Sequence, residues 1–197
     1  MGQAKTLNEK EIKRMLNFIA SRRHAERDRA MFLLTHLAGM RIGEVANLKI
    51  RDVLAADGTI REEIRLTADQ TKGKHARTVT LSEKMRKELG KYVEYRFDEA
   101  TRIALTYADT DKPLFNTQKR AGFSPNTLCH HFFMLYREAG LDGASSHSGR
   151  KSFLSTLSAK AVPLKVLMEL AGHRQAQTTM RYVSVTTDMK KAAVELM

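Results

Sequence analysis

The stretch AERDRAMFLLTHLAGMRIGEVANL, residues 25–48, decides how the rest of the chain is read. Its apolar run, Met31, Phe32, Leu33, Leu34 and Leu37, predicts a helix from roughly Ala25 to Ala38. Gly39 is the natural stop, because glycine accepts the left-handed conformation on which helices end. A short third helix follows, with Ile42, Val45 and Leu48 on one face. Arg41 stands where that helix starts, among apolar neighbours. An arginine there is either half of a structural ion pair, with Glu44 as candidate partner, or a receptor for an anion.

Working outward, helices dominate on both sides. Upstream, Asn8 and Glu11 have the spacing of a capping box, and Ile12, Met15, Leu16 and Ile19 recur at helical spacing. Downstream, Ile50–Leu54 reads as a strand, Asp57-Gly58 as a turn, and Ile60–Thr67 alternates loosely. Gly73 sits in a turn before a second clear strand, Arg77–Leu81. These segments predict a small antiparallel sheet of about three strands. Helices then resume. Ser82 caps one with a stripe of Met85, Leu89, Tyr92 and Val93, and residues 106–124, holding Pro113 and Gly122, read as loop. Ser124-Pro125 starts another, with Leu128, Phe132, Leu135 and Tyr136 inward and Gly140 as its stop. A Ser- and Gly-rich loop, Gly143 to Ser146, precedes His147 and a helix through Leu157. Pro163 opens one more, with Leu164, Leu167, Met168 and Leu170, ending at Gly172. Residues 186–197 suit a last amphipathic helix. The expected fold is α+β, mainly helical, in one compact domain over residues 1–197, since no repeat, low-complexity tract or linker divides it.

Composition narrows the partners. The 42% hydrophobic and 28% charged residues are those of an ordinary globular protein, and 197 residues build a core without staples. One cysteine, Cys129, excludes an internal disulfide framework and a cysteine-cage zinc site. No apolar run reaches the ~18 residues of a membrane span, and the first residues lack a signal peptide's apolar core. Gly2 with Thr6 fits an N-myristoylation pattern only loosely. The expected compartment is the cytoplasm, at the nucleoid. The net charge of +12 is the informative number, because a domain this basic usually meets a polyanion. It is unevenly spread: residues 72–91 carry seven basic and two acidic residues, and residues 112–181 ten and three. Charge alone does not separate an enzyme from a passive binder.

Several chemistries lack their motif. There is no Gly-x-x-x-x-Gly-Lys-Ser/Thr loop, no His-Glu-x-x-His, no EF-hand loop and no dense carboxylate cluster. His130 and His131 are adjacent, so on a helix they point about 100° apart and cannot share a metal. Four short segments remain: Gly39–Leu48 with Arg41; the basic hairpin tip Thr71–Arg77 with Lys72; His147-Ser148-Gly149-Arg150; and Leu170-Ala171-Gly172-His173, followed nine residues later by Tyr182. If Ser148 begins a helix, His147 and Arg150 lie close together. Each segment alone has an ordinary structural reading.

Their order and spacing resemble the tyrosine recombinase (phage integrase) family, from the Arg41 segment through Tyr182. The resemblance implies that Arg41 is the first catalytic arginine of a Gly-(apolar)-Arg-x-x-Glu box and Lys72 the catalytic lysine. It implies that His147 and Arg150 form the His-x-x-Arg box, that His173 is the histidine after a Leu-x-Gly segment, and that Tyr182 is the nucleophile. Lys151 departs from the pattern, since many members have His after the second arginine, and Gly149 stands where Leu is more usual. The 40 residues before Arg41 leave no room for the N-terminal clamp domain of many members, so the expectation is a catalytic fragment or a naturally short member.

The implied chemistry suits the residue types. A tyrosine phenol conserves the phosphodiester energy in a covalent 3′-phosphotyrosyl link. Two arginine forks bind the non-bridging oxygens and never deprotonate. A lysine in a positive site supplies the proton for the leaving 5′-oxygen. His147 is the candidate base or relay, and His173 is expected to donate a hydrogen bond to the phosphate. No cofactor or metal is expected. The expected partner is double-stranded DNA, met as a homo-tetramer on two sites, with a free monomer whose tail is docked in cis or mobile. Two other readings stay open: a non-catalytic DNA-binding regulator using residues 163–182 as a helix-turn-helix, and a type IB topoisomerase-like nicking-closing enzyme.

Overall fold

A computed structural model describes residues 4–105, 110–117, 121–183, 185 and 187–195. Gly2, with its myristoylation pattern, and residues 186, 196 and 197 of the expected last helix lie outside the described residues. The order is α1 (Glu9–Ala20), α2 (Ala25–Leu37), α3 (Ile42–Ala46), α4 (Ile50–Val53), β1 (Glu63–Leu66), β2 (Arg77–Thr80) and α5 (Glu83–Arg96). It continues with α6 (Glu99–Leu105), α7 (Pro125–Glu138), α8 (Ser148–Ala159), α9 (Leu164–Ala171), α10 (Ala176–Met180) and α11 (Thr187–Val194).

The core forms around α2. Every residue from Ala30 to Thr35 is buried, so this helix has no solvent face along its middle. Helices α1, α3, α5 and α8 pack around it. Burial of Met31, Phe32 and Leu34 contributes about 1.5–3 kcal/mol each. The expected caps are present: Asn8 and Glu11 form a reciprocal box, and Ser82 and Ser124 accept from the amides of Met85 and Thr127. The inward stripes of α5 and α7 are those read from the sequence.

Three features differ from the sequence reading. Ile50–Leu54 is not a strand: residues 50–53 turn as α4, begun by the Lys49 amide donating to the Asp52 carboxylate at 2.9 Å. The Ile50 and Arg51 amides donate to the carbonyls of Lys112 and Thr110 instead of to a sheet neighbour. The described sheet is therefore two-stranded, β1 antiparallel to β2 with Ile64 opposite Val79, plus an isolated bridge from Leu54 to Ile60. Second, α6 stands where the sequence reading placed no element. Its local signal is Asp98, whose carboxylate accepts from the Thr101 amide at 2.7 Å. Third, Ala193 and Val194 of α11 are exposed, so among the described side chains this end of the expected amphipathic helix buries no apolar one.

Candidate active site

Two chain reversals build the floor of the site. Gly39, after α2, has φ +61°, and Gly172, after α9, has φ +59°. Both turns leave carbonyls at helix C-termini, the negative end of the helix dipole. The Arg150 guanidinium donates to both, through Nη1 to Gly39 O and through Nη2 to Ala171 O at 2.6 Å. Neither glycine tolerates a side chain. A Cβ on Gly39 would overlap the Phe153 ring, and one on Gly172 would lie 2.5 Å from Arg77 Cδ.

Arg150 enters this space because α8 lies close against α2. A Cβ on Gly149 would come within 2.1 Å of Thr35 Oγ1, so glycine sets the approach of the two helices. Burial, then the charges of Arg41 and Arg77, push the Arg150 pKa down to about 9, which still leaves it cationic at neutral pH.

His173 holds the second face. Its Nε2 lies 2.9 Å from Arg150 Nη2, and its Nδ1 2.9 Å from Thr179 Oγ1. A guanidinium only donates, so Nε2 accepts and Nδ1 carries the proton given to Thr179. Burial first, then Arg150, Arg41 and Arg77, lower the His173 pKa to about 4, so the ring is neutral at pH 7. The ring of Tyr182 stacks on it, with centroids 6.0 Å apart and planes 20° apart. The Tyr182 amide donates to Thr179 O at 2.9 Å, which fixes the turn that presents the phenol.

Arg41 meets both sequence alternatives at once. It pairs with Glu44 at 2.9 Å while lining an open cleft of about 1380 Å³. Glu44 is 1% exposed and also takes a two-pronged contact from Arg77, at 3.0 and 2.7 Å. Burial would raise the Glu44 pKa, but the bonds and charge of Arg77, then those of Arg41, outweigh it and hold the carboxyl below its usual range. One buried anion thus fixes two arginines, and Arg77 reaches on to Leu170 O at 3.0 Å.

Lys72 lines the same cleft from the exposed hairpin tip. Thr71 Oγ1 braces that tip by donating to either the Ala68 or the His75 carbonyl, 3.1 and 2.9 Å away. His75 meets Arg174 at 2.8 Å, joining the tip to the turn after α9. His147 is the N-cap residue of α8, exposed at the rim. Partial desolvation of its ring, then Arg150, Lys72 and Arg41, lower its pKa.

All six residues singled out in the sequence therefore meet in one place. Arg41, Lys72 and His173 line the cleft, Arg150 stands behind His173, Tyr182 stacks on it, and His147 borders it. The sequence reading missed Arg77 and Thr179, and gave Glu44 only one of its two partners. Arg77 had a signal, as the last basic residue of the hairpin segment; Thr179 had none. Among the described residues no group of three or more His, Cys, Asp or Glu side chains is placed to hold a metal ion. What the cleft offers is fixed positive charge beside a phenol, which suits a phosphodiester.

The sequence pattern of the phage integrase family matches residues 5–189. The chain is similar to the tyrosine recombinase XerA of Pyrococcus furiosus, 29% identical over 97% of this chain and 61% of the relative. It is also similar to XerC of Treponema denticola, 30% identical over 82% of this chain and 53% of the relative. It thus spans about three-fifths or less of these curated relatives. The fold is that of the XerA recombinase crystal structure, with TM-score 0.73 and 24% identity over 100% of this chain and 66% of that one. It is equally that of the Tn1549 transposon integrase in complex with circular-intermediate DNA, with TM-score 0.75 and 17% identity over 100% and 67%.

Proposed function

The chain belongs to the phage integrase family, and from that premise we propose that it is a site-specific recombinase that cuts and rejoins double-stranded DNA. The observation that carries the reading is the contact series Arg150–His173–Tyr182 beside the Arg41–Glu44–Arg77 group. The Tyr182 oxygen attacks phosphorus, a 3′-phosphotyrosyl bond forms, and the 5′-oxygen departs with a proton from Lys72. Arg41 and Arg150 stabilise charge developing on the non-bridging oxygens. His147 serves as base or relay for the phenol proton. His173, with Nε2 turned to Arg150, orients that guanidinium and the phenol; to donate to the phosphate it would exchange that contact and its tautomer.

No step calls on a metal or cofactor, because the arginines supply the positive charge. The relatives named as tyrosine recombinases support the reaction, and the Tn1549 integrase–DNA complex supports DNA as the partner. No helix among the described residues is long and apolar enough to cross a membrane. By the same reading the synaptic unit is four protomers on two DNA sites, assembled from free monomers, and the protein works at the nucleoid.

The test is capture on a nicked suicide duplex. Tyr182→Phe keeps the ring and its stacking and removes the nucleophilic oxygen. It is expected to abolish the covalent adduct and leave DNA binding intact. A normal adduct from this variant would refute the assignment, and site-independent relaxation of supercoils by the wild type would redirect it to a topoisomerase.

A further inference from the structure

Residues 4–7 precede α1 and belong to no helix or strand, so their backbone groups bond elsewhere. They bond to the segment that carries His147 and Arg150. The Lys5 amide donates to Gly143 O at 3.2 Å, and the Leu7 amide to Ser152 Oγ at 2.7 Å. The Ala4 carbonyl accepts from Lys151 Nζ at 2.8 Å. Leu7 is buried in the main core, and Lys5 Nζ pairs with Glu11 at 2.6 Å, so the segment is anchored at its own end. Gly143, with φ +76°, runs flush beneath it: a Cβ there would touch the Lys5 stem at 3.9 Å.

On the receiving side these contacts lead directly into the first turn of α8. The Lys151 amide donates to His147 O at 2.9 Å while its ammonium reaches Ala4. Ser152 Oγ donates to Ser148 O at 2.8 Å while it accepts from Leu7. His147 gives this helix no side-chain cap. A helix start without a cap frays, and a displacement of about 1 Å in a catalytic group can cost about 10²-fold in rate. The N-terminal segment and the Ser145–Ser148 contacts within the loop hold the outer side of this start, while Gly149 against Thr35 and the carbonyl contacts of Arg150 hold its inner side.

We propose that Ala4–Leu7 is a strap that positions the His147–Arg150 box, with Lys151 and Ser152 as the positioning residues that receive it. The proposal rests on the catalytic reading of that box. It gives Lys151 a role its charge alone would not suggest. A lysine next to Arg150 would ordinarily be counted among the phosphate contacts. Here its stem is half-buried and its charge is directed to a backbone carbonyl. It therefore serves rate and not affinity.

The experiment compares the full chain with Lys151→Met, Lys151→Arg and a deletion of residues 1–5, which removes the Ala4 carbonyl and Lys5 amide but keeps Leu7. Three quantities are read: hydrogen exchange of the amides of residues 143–150, affinity for duplex DNA against salt, and single-turnover covalent capture on the suicide duplex. Lys151→Met should speed exchange and slow capture by about tenfold, the loss of one hydrogen bond from a charged donor, and the deletion, which also removes the Lys5 amide's bond to Gly143, by at least as much. Affinity and its salt slope should not change with Lys151→Met, and Lys151→Arg should restore most of both losses. Wild-type exchange in Lys151→Met would overturn the strap. A defect confined to DNA affinity would overturn it too, by making Lys151 a phosphate contact. Exchange is read without DNA, so a wild type that forms no adduct would refute the catalytic reading while the strap is still decided.

Discussion

At the scale of single residues, the site is governed by one buried carboxylate and one neutral imidazole. Glu44 spaces Arg41 and Arg77, and its depressed pKa keeps it ionised wherever the site is folded near neutrality. His173 shows the opposite economy: among three arginines a second charge on its ring would be repelled, so it stays neutral and accepts from Arg150. This fixes a pH dependence. The folded pKa is about 4, below the ordinary 6.5, so between those values the unfolded chain takes up a proton that the folded chain refuses. The His173 contribution to stability is therefore fully present above pH 6.5 and lost as pH falls through about 4. Thermal melting across that window should show the wild type losing stability more steeply than His173→Gln. His24, His36 and His147, also lowered, and at the acid end the lowered carboxyls of Asp28, Glu44 and Glu88, contribute to the slope that stays in the variant. Parallel curves would mean that His173 titrates normally.

At the scale of elements, the ends of helices matter more than their middles. The end of α8 is informative. The Val162 amide donates to Leu157 O at 3.2 Å and the Ala161 amide to Ser158 O at 2.9 Å, the two bonds of a Schellman ending. The position that must be left-handed is Ala161, with φ +57° and exposed to solvent. An L-residue with a Cβ pays roughly 1–2 kcal/mol there, partly offset by the greater unfolded freedom of glycine. Ala161→Gly should thus stabilise by about 0.5–1 kcal/mol, raising Tm by about 1–4 °C. Calorimetry showing a lower Tm would mean that the turn is not left-handed in solution. The helices that flank the site already use glycine at this position, at Gly39 and Gly172, because Phe153 and Arg77 pack where a Cβ would be.

At the scale of the whole molecule, the +12 charge has two destinations. Some cations are committed to partners within the fold: Arg150 to carbonyls and Arg27 to Asp28, both buried, the largely buried side chain of Arg77 to Glu44, and the partly exposed Arg29 to Glu88. Others face solvent around the cleft, among them Lys72, Lys74, Arg174 and Arg181. The second group, together with the phosphate-binding Arg41 and Arg150 of the proposed reaction, displaces counterions. If about six phosphates are neutralised, log affinity against log salt should fall with a slope near −5. A titration from low to physiological salt measures this directly. A flat response would mean that the basic surface meets something other than DNA.

The sequence by itself determined the helical frame, the caps at Asn8, Ser82 and Ser124, and the six residues that meet at the cleft. Those signals are local or ordered along the chain: an apolar stripe repeats every three or four residues, a cap acts within its own turn, and the boxes keep their order. Tertiary structure alone decided the rest. Ile50–Leu54 has strand-like residues, but Asp52 caps a turn over residues 50–53, and the Ile50 and Arg51 amides that a sheet would need are taken by the 110–112 loop, a partner about sixty residues away that no local pattern announces. Glu44 has an arginine three residues before it, yet takes its second partner from β2 because burial leaves its remaining lone pairs to be satisfied by whatever the fold brings near. Lys151 stands in the sequence only as a departure from the family's usual histidine, until the fold places Ala4 O 2.8 Å from its ammonium. In each case the deciding partner is distant in sequence, and only chain packing brings it within hydrogen-bond range.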